Sequence, residues 1–134
     1  MLRRIKLGIV SVLLAWMLVS LAYGGVADEW LIKERLDVTV TSTETEIMES
    51  TLTDKKYNRK FSIDNGDNEI VVTVWGSNDE ETWEEMKIDT IPAETNEWLI
   101  LGSNHYWYIQ LTGHTTGEPG QTSVVGVFLY YRAV

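Results

Sequence analysis

Ile70-Val71-Val72-Thr73-Val74-Trp75 is a run of β-branched and aromatic residues without a charge. Such side chains suit a pleated, half-buried surface and lose rotamer freedom in a helix. Side chains alternate across a strand, so Ile70, Val72 and Val74 share one face while Val71, Thr73 and Trp75 share the other. A strand is therefore expected from Glu69 to Trp75. Gly76-Ser77-Asn78-Asp79 follows and ends it in turn-forming residues.

The same period extends outward. Upstream, Lys60-Phe61-Ser62-Ile63 is a second apolar run, and Asn65-Gly66 lies between the two. Both residues tolerate positive φ, so the pair predicts a hairpin. Leu36, Val38 and Val40 alternate with Asp37, Thr39 and Thr41 as a half-buried strand. Thr41 to Thr53, rich in Thr, Ser and Glu, reads as a solvated strand pair or loop. Downstream, Trp83 to Ile88, Glu97 to Leu101, Tyr106 to Leu111 and Ser123 to Tyr131 supply further strands. Gly76, Gly102, Gly113, Gly117 and Gly120 punctuate them. Seven or eight short strands without long helices predict an all-β fold, a jelly-roll-like antiparallel β-sandwich over residues 36–134. Its expected core is Val72, Val74, Trp83, Ile109, Leu111, Val127 and Leu129.

Ahead of the sandwich stands a different kind of segment. Arg3, Arg4 and Lys6 precede Leu7 to Ala27, a run of 21 residues with no charge, and Asp28-Glu29 closes it. A basic flank before such a run places the N-terminus in the cytoplasm and the rest outside. Three readings compete: a cleaved signal peptide, with Gly25-Val26-Ala27 or Ala22-Tyr23-Gly24 at the cut; an uncleaved anchor; and the core helix of a filament. The basic flank and the uncharged length favour a retained α-helix over residues 1–27, with Leu7, Val10, Leu14, Trp16, Leu18 and Leu21 facing membrane or assembly core. Residues 28–35 then form a short polar stalk that extends the helix, with Trp30 at the membrane interface.

Two family resemblances can be placed on these residues. The basic residues, Gly8 and the apolar run Ile9 to Tyr23 resemble the N-terminus of an archaeal type IV pilin, whose helix packs in a filament core. Leu13 stands where bacterial mature pilins commonly carry an acidic residue. Val71 to Asp79, then Thr82-Trp83, Tyr106 to Leu111 and Val127-Phe128-Leu129-Tyr130, resemble the second half of a discoidin-type (coagulation factor C-type) domain. That family has Ser-Asn-Asp-Gly-x-x-Trp after a strand; here Glu80 replaces the glycine. The arginine before its aromatic strand is also absent. The resemblance implies a jelly roll and transfers no ligand site.

Charge and composition restrict the function. Residues 28–134 hold all 20 acidic residues and 8 of the 11 basic ones, a net charge of −12. Such a surface repels phosphate backbones, which argues against nucleic acid and against peripheral binding to anionic lipid. There is no cysteine, so disulfides, thiolate metal sites and cysteine nucleophiles are excluded. His105 and His114 sit at opposite ends of one expected strand, too far apart to share a metal. Asp64, Asp67 and Glu69 offer oxygens for a structural calcium, and turn formation competes for the same residues. Trp98 and Tyr106, with Asn78 and Asp79, are the candidate ligand-binding residues, because exposed aromatics stack on sugar rings while polar neighbours bind hydroxyls. Glu84-Glu85 does not form a glycosidase pair, since adjacent strand residues point to opposite faces. Lys55-Lys56-Tyr57-Asn58-Arg59-Lys60 is the one basic cluster beyond the N-terminus and is expected to pair with acidic surface of the same chain or a neighbour.

No residue set forms an enzyme signature, and no organic cofactor is implied. The expected function is a non-enzymatic structural subunit of a surface assembly (pilus-like filament, envelope or virion) that self-associates at the cell surface. Its helix would sit in membrane or assembly core, with the sandwich exposed. The alternative is a membrane-tethered or secreted binding module for glycan or a cell-surface partner.

Overall fold

A computed structural model describes residues 30–102 and 105–134. The expected helix over residues 1–27, with its site residues Leu7, Val10, Leu14, Trp16, Leu18 and Leu21, lies outside the described residues. Among the latter are eight strands: β1 Trp30–Val40, β2 Thr45–Leu52, β3 Lys60–Asp64, β4 Ile70–Ser77, β5 Glu84–Ile91, β6 Asn96–Ile100, β7 Tyr108–Thr115 and β8 Ser123–Arg132. They form two antiparallel four-stranded sheets. Sheet A has the order β1-β8-β3-β6 and sheet B the order β2-β7-β4-β5. Only β4 and β5 are consecutive neighbours in one sheet; every other connection crosses between sheets, the connectivity of a jelly roll.

The alternation read from Ile70 to Trp75 decides the layering. Ile70, Val72 and Val74 are fully buried, and so are Ile109 and Leu111 beside them in sheet B. Phe61, Ile63, Leu99, Val127 and Leu129 of sheet A face them across the sandwich. Trp83 departs from the expected core. It is only half-buried, ahead of β5, and lies against the outer face of sheet B with Trp75. None of the five described tryptophans belongs to the buried cluster. β-branched residues, Leu and Phe fill the inner faces, and an indole N–H there would need a polar partner.

Three other expectations are corrected. Asn65-Gly66 does not turn a hairpin, because β3 pairs in sheet A and β4 in sheet B. Asn65 is buried instead, and its Nδ2 donates to the carbonyls of Asn68, Ile91 and Pro92 at 2.8, 3.1 and 3.0 Å. A Cβ on Gly66 would stand 2.6 Å from the Val124 carbonyl oxygen, so glycine is required there for close approach rather than for a tight turn. Leu36 does not share a face with Val38 and Val40. The β1–β8 register shifts between Arg35 and Val38, with Asp37 at φ 55°, and this bulge turns Leu36 outward over Gly126. Finally, residues 30–35 are not a helical stalk. Trp30 to Arg35 pair with Arg132 to Val127 as the first half of β1, because ladder pairing with β8 overrides any local helical preference.

The strands define two ends. At the Asn65 end, Asn65 N–H donates to Thr95 O, Glu94 N–H to Gly66 O and Thr115 N–H to Thr41 O. At the Arg59 end, Asp54 N–H donates to Arg132 O, Thr53 N–H to Trp107 O and Leu101 N–H to Arg59 O. Between the ends, Lys33 and Arg35 on β1 bridge to Glu49 on β2 at 2.9 and 3.3 Å, clasping one edge of the two sheets.

Asn65→Ala should lower stability by about 2–3 kcal/mol, since it strands buried carbonyls without a donor. Ile109→Ala should cost about 2–5 kcal/mol through the cavity it leaves, and Trp83→Ala clearly less. Urea unfolding midpoints of the variants check the ranking, and an equal loss at Trp83 and Ile109 would contradict the layering described here.

Candidate functional site

The residues nominated for binding fall into separate groups. Asn78 and Asp79 lie exposed in the turn between β4 and β5, where one carboxylate oxygen of Asp79 and the side-chain oxygen of Asn78 are engaged in holding the chain. The Ser77 hydroxyl accepts from Asp79 N–H and Glu80 N–H at 3.2 and 2.9 Å. Asp79 Oδ1 accepts from Glu81 N–H, Thr82 N–H and the Ser77 hydroxyl at 2.9, 2.9 and 3.0 Å. Asn78 Oδ1 accepts from Trp107 N–H at 3.1 Å. The amide donors of Thr82 and Glu81, with the Ser77 hydroxyl, hold the Asp79 carboxyl below the usual range. Glu80 occupies the turn at φ 61°, a left-handed position that favours glycine.

Tyr106 closes the same end of the sandwich. Its ring lies so close to Gly76 that a Cβ there would stand 2.5 Å away, and its hydroxyl donates to Glu84. The Glu84 carboxylate raises the phenol's pKa. Next to it is a residue that sequence reasoning placed only in a basic cluster. Arg59 is fully buried, and its Nη1 donates to Thr53 Oγ1 at 2.8 Å and Tyr106 O at 2.7 Å. Nε and Nη2 find no acceptor among the described residues. Desolvation pushes its pKa down to about 10, with Asp54 opposing, so it stays charged at neutral pH. Nothing in a run of Lys and Arg marks one of them for burial.

Trp98 belongs elsewhere. It lies on the outer face of sheet A, 50% exposed, with its ring centroid 5.4 Å from that of Tyr130. Lys60 Nζ sits over both rings, at 4.8 and 5.6 Å. Trp30, Asn58, Lys60, Ile100 and Tyr130 line a groove of about 450 Å³ there, and Ile100 is 59% exposed. Arg132 packs against Tyr57 and Trp30, and Lys55 over Trp107. Within the chain, Lys55 and Lys60 of the basic cluster thus meet aromatic rings rather than acidic surface. A second, shallower depression lies on the outer face of sheet B. There Trp75 Nε1 donates to Thr112 Oγ1 at 2.8 Å, Thr112 donates to Glu44, and Trp83 and Gln110 complete the rim.

The proposed calcium ligands are not gathered. Asp64 ends β3, Asp67 stands in the following loop, and Glu69 accepts from the Thr116 hydroxyl at 3.0 Å. Among the described residues, no three His, Asp or Glu side chains come close enough to hold a metal ion. His114 lies in β7 with Nδ1 3.1 Å from Thr115 O, and His105 is exposed in the preceding loop.

No protein-family model matches the chain, and no curated protein does. Similarity appears in three dimensions. The chain resembles PirA with a TM-score of 0.53 at 15% identity, over 75% of this chain and 93% of that one. It resembles a Bacillus endospore appendage protein, from a structure described as a family of disulfide-linked pili, with a TM-score of 0.50 at 8% identity, over 80% of this chain and 91% of that one. At such identities the likeness is one of fold: an all-β, antiparallel sandwich of two sheets.

Glu80→Gly should raise stability by about 0.5–1 kcal/mol by relieving the left-handed strain. The depressed Asp79 and Glu49 carboxyls add stability that is complete above their unfolded pKa values and fades as pH falls through the lower folded ones. Melting temperature should therefore drop on acidification below about pH 4–5. Asp79→Asn and Glu49→Gln should each flatten that limb, and an unchanged acid limb in both would contradict the assignment.

Proposed function

We propose that the chain is a non-enzymatic structural subunit of a surface assembly, filament-like or envelope-like. The uncharged run Leu7 to Ala27 is embedded in membrane or assembly core and the sandwich is displayed outside. The observation that carries this reading is what occupies the polar residues nominated for a ligand: Asp79 Oδ1 is tied into its own turn, Asn78 Oδ1 to Trp107 N–H in the loop before β7, and Tyr106 to Glu84 and Gly76. The likeness of fold to a pilus subunit supports it at the level of architecture.

In this reading the apolar run supplies the driving force. The sandwich carries −12, so copies repel, and burying the run removes the chain's longest uncharged segment from water. The sandwich has its own closed core, so residues 28–134 should fold alone and remain monomeric, while the full chain forms multi-subunit particles or inserts into lipid. Light scattering and electron microscopy of both proteins test this. Filaments or shells from residues 28–134 would reassign assembly to the sandwich, and a monomeric full chain in detergent-free buffer would defeat the reading.

A further inference from the structure

We propose that the sandwich docks on an anionic membrane surface through the corner of sheet A at its Arg59 end. The proposal rests on the reading that residues 7–27 sit in a membrane, and three observations carry it.

The first is the sorting of charge along the strands. The loops of the Asn65 end, residues 41–44, 65–69, 92–95 and 116–122, hold Glu44, Asp67, Glu69, Glu94 and Glu118 and neither Lys nor Arg. Lys55, Lys56, Lys60 and Arg132 gather on the sheet A side of the opposite end, around the single carboxylate of Asp54 in the loop after β2, and Lys87 reaches the carbonyl of Ile100 there at 3.3 Å. Lys55 and Lys60 rest on aromatic rings, and neither has a carboxylate at ion-pair distance among the described residues. The net charge of −12 thus averages over acidic segments and a corner where cations predominate, and repulsion of anionic lipid does not extend to that corner.

The second is the placing of exposed apolar side chains. Trp30, Leu52, Tyr57 and Ile100 are exposed at the Arg59 end, and Trp98 beside them on the outer face of sheet A. The loops of the Asn65 end expose no large hydrophobic residue. Trp and Tyr with Lys and Arg is the composition that settles at a bilayer interface, rings at headgroup level and cations on anionic lipid.

The third is where the uncharged run meets the sandwich. Trp30 opens β1 at the Arg59 end and lines the groove. Ala27 ends the run three residues earlier. Three residues span at most about 10 Å. A membrane-embedded run therefore tethers this end close to the bilayer, within about one Debye length of its charge. The five-carboxylate end points away. The acidic turn Asp79 to Glu81 belongs to the sheet B half of the Arg59 end, so the docked sandwich tilts the outer face of sheet A toward lipid.

The chain has no cysteine, so single probes can be placed without background. The full-length protein is reconstituted into vesicles of neutral lipid, or of neutral lipid mixed with phosphatidylglycerol. A fluorophore is attached at Leu14→Cys, Ile100→Cys or Glu118→Cys, and a nitroxide lipid serves as quencher. The expected result is loss of emission at 14 in both lipids, loss at 100 in anionic vesicles, and full emission at 118. High salt, or Lys56→Glu with Lys60→Glu at these two exposed sites, should restore emission at 100 and leave 14 quenched. Quenching at 14 with none at 100 overturns the docking and keeps the anchor. Full emission at both 14 and 100 overturns docking and anchor together. A probe at 100 that is shielded from an aqueous quencher yet blind to the lipid quencher assigns the face to a neighbouring copy and overturns the proposal.

Discussion

Phe61, Ile63, Leu99, Val127 and Leu129 of one sheet meet Ile47, Val72, Val74, Ile109 and Leu111 of the other, and the rest of the molecule is arranged around that layer. With no cysteine, no covalent bridge holds the sheets together. Two sheets at about 10 Å leave room for one stratum of interdigitated side chains. Each inner position must then be apolar and of the right size, which is why all ten of these residues are buried to within 1%.

Closing the two ends of such a sandwich raises a polar problem. Crossing loops carry backbone groups over the rim of the core, and each one that loses water needs a partner. At one end Asn65 supplies it, its amide serving three carbonyls while its Oδ1 accepts from Ser123 and Gly66 N–H. At the other end buried Arg59 ties the loop after β2 to the loop before β7 through Thr53 and Tyr106. A buried guanidinium with two nitrogens lacking acceptors among the described residues is a poor source of net stability. Its effect is to hold those two loops together.

The surface is polarised in the same direction as the strands. One end is a rim of carboxylates; the other combines cations, exposed aromatics and the entry of β1 on its sheet A side with the acidic turn Asp79 to Glu81 on its sheet B side. A β-sandwich puts alternate loops at opposite ends, so loops 41–44, 65–69, 92–95 and 116–122, which hold five carboxylates and neither Lys nor Arg, gather into one acidic end, while the acidic turn Asp79 to Glu81 falls at the other.

The residue period alone determined that Ile70, Val72 and Val74 share a buried face, and that Val127 and Leu129 do the same, because alternation is a local property of an extended chain. Residue chemistry marked Ser77-Asn78-Asp79 as a turn, since short polar side chains bond their own backbone, and the neighbouring Glu97 pointed to an exposed Trp98, which stands in β6 rather than in a turn. Which strand pairs with which was decided only in three dimensions. Asn65-Gly66 carries the local signature of a hairpin and instead spans the gap between sheets, because the partners of β3 are β6 and β8. Leu36 fits the alternation of Val38 and Val40 until the bulge at Asp37 reverses it. Trp30 to Arg35 became strand through pairing with residues about a hundred positions later, and Arg59 left its cluster for the interior. Local geometry says how a side chain points relative to its neighbours; only the non-local choice of partners says what it points at.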